Sequence, residues 1–104
     1  MTVTLDRPAN SMMDNASDAA ALLKALAHEG RLMILCYLAA EGELSVGALE
    51  ELLGKRQAAV SQLLSRLRED RLVIARRDGK TVYYSLADGP ATEVLETLHN
   101  IYCS

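Results

Sequence analysis

Apolar positions recur with a helical period in several stretches of this chain. The most regular is Gly54 to Leu72, GKRQAAVSQLLSRLREDRL. Val60, Leu63, Leu64 and Leu67 stand at i, i+3, i+4 and i+7, a single apolar stripe on an α-helix. Gln57, Ser61, Gln62, Ser65 and Arg66 fall between them, and Lys55, Arg56, Arg68 and Arg71 flank the stretch. A helix of this kind docks on a core by one side and offers short hydrogen-bonding groups and cations on the other. That second side suits base edges and phosphates in a groove. Just before it, Val46, Leu49, Leu52 and Leu53 predict a short helix, with Ser45 as its N-cap and Gly54 allowing a tight turn. Two such helices in this order predict a helix-turn-helix whose second helix is the reader.

The flanking pattern extends this unit. Residues 1–15 mix Thr, Pro, Asn, Ser and Asp without period and predict a loose arm, leaving 16–104 as one domain. Asp18 to Ala27 predicts a helix with Leu22, Leu23 and Leu26 on one side, and Gly30 predicts a break. Arg31 to Ala40 is apolar nearly all round, which predicts burial on every side. After the reader, the β-rich runs at 72–77 and 80–86 meet at Asp78-Gly79, a hairpin signal whose tip bears Arg76, Arg77 and Lys80. Pro90 then opens a last helix with Val94, Leu95, Leu98, Ile101 and Tyr102 as its apolar stripe. The expected fold is mainly α: a winged helix-turn-helix of about five helices plus a two-stranded wing. The apolar first and last helices exceed what so small a core can cover, which predicts a two-fold homodimer. Two-fold symmetry sets two readers about 34 Å apart on near-palindromic DNA.

Composition sharpens this picture. The chain has 104 residues with no Trp and no Phe, so Leu, Val, Ala and Tyr must fill the core. Its longest apolar run is too short to span a bilayer, and no signal-like segment opens it. A cytoplasmic protein with no membrane partner is expected. The net charge of −3 argues against nucleic acid until its distribution is read. Residues 55–80 hold eight cations and three acids, whereas the remainder holds three cations and eleven acids. A basic face on an acidic body binds DNA there and repels it elsewhere. Gln57, Ala58, Ser61 and Gln62 are the expected base contacts. Lys55, Arg56, Ser65, Arg66, Arg77 and Lys80 are expected at phosphates or the minor groove.

In this order of elements the chain resembles the ArsR/SmtB family of bacterial winged-helix repressors, from about Ala21 to Cys103. The resemblance rests on LKALAHEGRLMIL, AAVSQLLSRLREDRLV and RRDGKTVYYSL. It implies a dimeric repressor that binds operator DNA. The family's metal box, Glu-Leu-Cys-Val-Cys-Asp-Leu, is replaced here by Glu43-Leu44-Ser45-Val46-Gly47-Ala48-Leu49, which lacks the thiolates that soft metals need. Its other site, on the last helix, is matched only by Glu93, Glu96 and His99, without paired histidines. No metal is expected. Cys36 and Cys103 resemble the thiol pair of the family's persulfide-responsive subgroup. That likeness implies a di- or polysulfide bridge within one protomer, formed by reactive sulfur species, and release of DNA at genes of sulfide metabolism.

The two cysteines also carry a reading of their own. Cys36 sits in an apolar helix, where a thiol is commonly a small core group. Cys103 is one residue from the chain end and expected to be accessible, with His99 four residues earlier. In a reducing cytoplasm any bridge between them would be transient and signalling. No cofactor is expected. The alternative sensor is a general oxidant or haem, reached through Cys36, Cys103 or His99. An enzyme is not expected, because His28 and His99 are the only histidines and no nucleophile loop is present. A protein-binding module would leave the basic reader and wing without a purpose.

Overall fold

A computed structural model describes residues 10–103. The first helix, α1, spans Asn10–Leu26, and α2 spans Glu29–Glu41. Residues 10–15 of the stretch expected as a loose arm are therefore helical, while residues 1–9 lie outside the described residues. The side chains from Met12 to Ala21 are all exposed, so no buried stripe marks this part of the helix. Of the leucines expected on one side, Leu26 is buried, Leu22 half-buried and Leu23 exposed; Ala25 takes the remaining core place.

The break between the first two helices is at Ala27 and His28, not at Gly30. His28 is extended and caps α2, its Nδ1 accepting from the Arg31 N–H at 3.3 Å. Arg31 reaches back, donating from Nε to the Ala25 carbonyl at 2.8 Å and from Nη2 to that of Lys24 at 3.2 Å. These bonds satisfy carbonyls that the end of α1 would leave open. Gly30 lies buried inside α2, where a Cβ would sit 2.9 Å from the Leu63 Cδ1. It is small because another helix passes close by, not because the chain breaks.

After Gly42 comes a short strand that the hydrophobic pattern does not announce, β1 at Glu43–Ser45. Ser45 caps α3, Val46–Leu53, its Oγ accepting from the Ala48 N–H at 3.1 Å. Gly54 takes the left-handed conformation (φ +63), so the chain turns sharply into α4, Gln57–Glu69. The hairpin follows as β2, Val73–Asp78, and β3, Thr81–Leu86, then α5, Ala91–Tyr102. Asp78 pairs with Thr81, so the turn residues are Gly79-Lys80, one place beyond the expected Asp-Gly corner. Gly79 has φ +64, the left-handed value that a glycine-first two-residue hairpin turn requires. The antiparallel sheet has three strands in the order β1-β3-β2, with Leu44 opposite Tyr84.

The core is Ile34, Leu35 and Leu38 of α2, Leu49 of α3, and Val60, Leu64 and Leu67 of α4. Leu72, Val73, Tyr84, Ala91 and Leu95 close it. Burial on every side of α2 does not occur. Met33, Cys36, Ala39 and Ala40 are exposed, because α3, α4 and the sheet cover only one side of the helix. The stripe of α5 is likewise only half used: Leu95 is buried, whereas Ile101 and Tyr102 are 62% and 80% exposed.

Truncating Leu67, fully buried beneath the reader, should cost about 2–5 kcal/mol. Removing the cap with Ser45→Ala should cost about 1 kcal/mol. Urea unfolding of both variants measures the two effects, and equal losses would contradict this division between core and cap.

Candidate nucleic-acid interface and thiol pair

The apolar stripe of α4 behaves as its spacing requires, with Val60, Leu64 and Leu67 buried and Leu63 half-buried. Lys55, Arg56, Gln57, Ala58, Ser61, Gln62, Ser65 and Arg66 are all exposed. Arg56 precedes the helix without a side-chain cap, and no acid occupies the first turn. The positive end of the helix is therefore unneutralised and lies beside Lys55 and Arg56, a favourable place for phosphate. Arg66 is not wholly free: its Nε meets the Asp70 Oδ2 at 3.0 Å. An exposed pair of this kind is worth about 0–1 kcal/mol, so a phosphate can draw Arg66 away.

The three cations of the wing divide into two kinds. Arg77 and Lys80 are exposed, and among the described residues neither makes an ion pair. Arg76 is held within the sheet. Its Nε and Nη2 donate to the Glu43 carboxylate at 3.0 and 2.7 Å, and its guanidinium lies 4.9 Å from the centre of the Tyr83 ring. The hydrogen bonds from Arg76 hold the Glu43 carboxyl below its usual range, and the same interaction pushes the guanidinium further up. Arg76 thus ties the wing to β1. Hairpin sequence alone could not reveal this, because Glu43 lies 33 residues away on an unrecognised strand.

The second assembly lies between α2 and α5, which pack together. Cys36 and Cys103 are both free thiols and both exposed. Partial burial pushes the Cys36 thiol above its ordinary value, and the nearby Cys103 thiolate pushes it further. That second effect places the two sulfurs within electrostatic reach of each other. The helical turn does not continue through Cys103. It stands as the C-cap of α5, donating its N–H to the His99 carbonyl at 2.8 Å. A groove of about 580 Å³ runs along the seam, lined by Cys36 and Ala40 of α2, Leu86 of β3, and Leu95, Glu96 and His99 of α5 among others.

Among the described residues, no group of three or more His, Cys, Asp or Glu side chains is placed to hold a metal ion. The segment standing where the family's metal box would be is partly strand, and the Ser45 hydroxyl is engaged in capping α3. Among the described residues, no helix is long and apolar enough to cross a membrane.

A helix-turn-helix with a basic reader and a β-wing defines a winged-helix transcriptional regulator. Comparison with known proteins agrees. Residues 28–75 match the family model for bacterial regulatory proteins of the arsR family. The biofilm growth-associated repressor of Agrobacterium fabrum is 45% identical over 97 residues, covering 93% of this chain and 82% of the relative. The transcriptional activator HlyU of Vibrio cholerae is 46% identical over 88% of this chain and 84% of its own length. The structure of reduced HlyU superposes with a TM-score of 0.85 at 44% identity, covering 92% of this chain and all of that one. The transcriptional repressor BigR of Xylella fastidiosa gives a TM-score of 0.84 at 41% identity, over 91% and 96% of the two chains. The chain belongs to the arsR family of bacterial transcriptional regulators, and these relatives are regulators rather than enzymes.

Because the Cys103 thiolate helps to hold the Cys36 thiol up, Cys103→Ser should lower the pH at which Cys36 becomes reactive. Iodoacetamide alkylation of Cys36 followed by mass across pH 7–11 (roughly, spanning the ordinary thiol range) measures this. An unchanged midpoint would mean that the two sulfurs are not neighbours in solution.

Proposed function

We propose that this protein is a homodimeric repressor of near-palindromic operator DNA that responds to reactive sulfur species. A persulfide or polysulfide joins Cys36 to Cys103 through a di- or polysulfide bridge, and the bridged dimer releases DNA at genes of sulfide metabolism. The observation that carries this reading is the pair of free, exposed thiols, Cys36 on α2 and Cys103 at the end of α5, on two helices that pack together, with the charge of one felt at the other. On its other side α2 packs against α3 and α4, the two helices of the DNA-reading unit. A bridge therefore acts on the helix that supports the reader.

The dimer rests on the family's usual assembly and on the uncovered apolar side chains Met12, Met13 and Leu23 of α1 and Ile101 and Tyr102 of α5. In this reading Gln57, Ala58, Ser61 and Gln62 address bases. Lys55, Arg56, Ser65, Arg66, Arg77 and Lys80 address phosphates or the minor groove. In the cytoplasm, where the thiol pool keeps cysteines reduced, such a bridge persists only while the sulfur signal lasts. No bound cofactor is part of the mechanism.

Arg77→Gln and Lys80→Gln should each weaken binding to all DNA sequences and make the salt slope shallower by about 0.9 for every phosphate no longer neutralised. Gln62→Ala should instead relax base preference. Salt-dependent anisotropy on a site selected from random DNA separates the two effects, and wild-type slopes in both wing variants would remove the wing from the interface. For sensing, a persulfide donor should release DNA from the wild type but not from Cys36→Ser or Cys103→Ser. Release by haem or peroxide, with none by persulfide, would replace the sulfur effector with one of those.

A further inference from the structure

The groove along the α2–α5 seam has the size of a small-molecule site rather than of a bare thiol contact. Its volume of about 580 Å³ falls within the range of roughly 300–1,000 Å³ usual for ligand pockets. Its apolar lining comes from Ala39, Ala40, Leu86 and Leu95, and Cys36 lines it from α2. Thr92, Glu96 and His99 stand at helical spacing along the α5 wall, and Cys103 closes the same helix one turn further on. Glu96 is the one carboxylate in this lining, which contains no Lys or Arg. Such a wall favours a ligand that presents a cation to Glu96 and disfavours one that is purely anionic.

We propose that this groove binds the organic part of the sulfur donor, and that the donor is the persulfide of a small amino-bearing thiol rather than inorganic polysulfide. The inference rests on the sulfur-sensing reading above and adds a binding step to it. The donor's ammonium group lies against Glu96, its short carbon chain lies on Leu86 and Leu95, and its sulfurs point to Cys36. Docking matters here because partial burial holds the Cys36 thiol above its ordinary range, so a smaller share of it is the reactive thiolate at a given pH. Holding the donor beside the thiol supplies the effective concentration that its ionisation does not.

The chemistry balances without a further reagent. The Cys36 thiolate attacks the outer, sulfane sulfur of R–S–SH, forming Cys36–S–SH and breaking the donor's S–S bond. The departing R–S⁻ takes up a proton and leaves as the thiol. The Cys103 thiolate then attacks the Sγ of Cys36 itself, breaking its bond to the outer sulfur, closing the Cys36–Cys103 disulfide and expelling HS⁻. Two thiols are oxidised, the sulfane sulfur is reduced to hydrosulfide, and the two protons released from the thiols are taken up by the products. A second donor, lengthening the chain before closure, gives the trisulfide.

The test uses the reduced full-length protein and begins with an unreactive probe, S-methylcysteine. NMR titration should show saturable shifts confined to α2, the end of β3 and α5. Glu96→Gln should weaken this binding on the order of fivefold, the ceiling for one partly exposed ion pair. Methylthiopropionate, which lacks the ammonium group, should bind the wild type at least as weakly as S-methylcysteine binds Glu96→Gln. In kinetics, modification of the thiols by cysteine persulfide should saturate with donor concentration. Glu96→Gln should raise the half-saturating concentration by a similar factor, while the rate with inorganic tetrasulfide stays level or rises. Thiol modification that is linear in every donor, with no shifts from S-methylcysteine, would overturn the groove and leave the sensor standing. Saturable S-methylcysteine binding in a protein whose thiols no donor modifies would uphold the groove and remove the sensor.

Discussion

Val60, Leu64 and Leu67 of the reader are sealed against a core to which α2 contributes Ile34, Leu35 and Leu38 and α3 contributes Leu49. Those seven side chains are the largest fully buried ones among the described residues, where no buried side-chain polar atom lacks a partner. The position of α4 is therefore a packing result with no polar latch to adjust it. In a close-packed interior, displacement of α2 is transmitted to α4 or leaves a void. At Gly30 the tip of the Leu63 side chain lies where a Cβ would be 2.9 Å away, so the two helices meet through side-chain contact there as well. Everything proposed about signalling depends on α2 being shared in this way, with one side in the core and the other carrying Cys36.

The side proposed to face DNA is built on the opposite logic. Its side chains are exposed, its ion pairs are few, and its charge is local. The acidic remainder of the chain would repel DNA, which favours binding by the proposed basic face alone. The wing would be a free two-stranded ribbon of marginal stability by itself, but β1 adds a third strand and Arg76 bonds to Glu43 across it. Of the three cations at the hairpin, one thereby fixes the direction in which the other two point.

What can be read in the residues is what is locally determined. The stripe of α4, the Ser45 cap, the turn at Gly54 and the hairpin all follow from neighbouring residues, and all are found. What cannot be read depends on a distant partner. Glu43–Ser45 is too short to show alternation and is a strand only because Tyr83 to Ser85 lie alongside it. Gly30 reads as punctuation because its reason, Leu63, lies on another helix far along the chain. The full burial expected for Arg31 to Ala40 fails because hydrophobicity states a need for cover without naming what supplies it. Resemblance suggests the thiol pair. That the two stand on helices packed together comes from the fold, since Cys36 and Cys103 are separated by most of the domain in sequence.

The central claim is that a bond between α2 and α5 changes the geometry in which the two readers are presented. It is tested most directly by preparing the reduced and bridged proteins separately, each verified by intact mass, and titrating both against one selected DNA site. The account predicts that the bridged form binds about a hundredfold more weakly, a coupling of roughly 2.7 kcal/mol, and that a reductant restores binding as it restores the mass. Equal affinity of the two forms for the same DNA would contradict it, because the bridge would then close without reaching the reader.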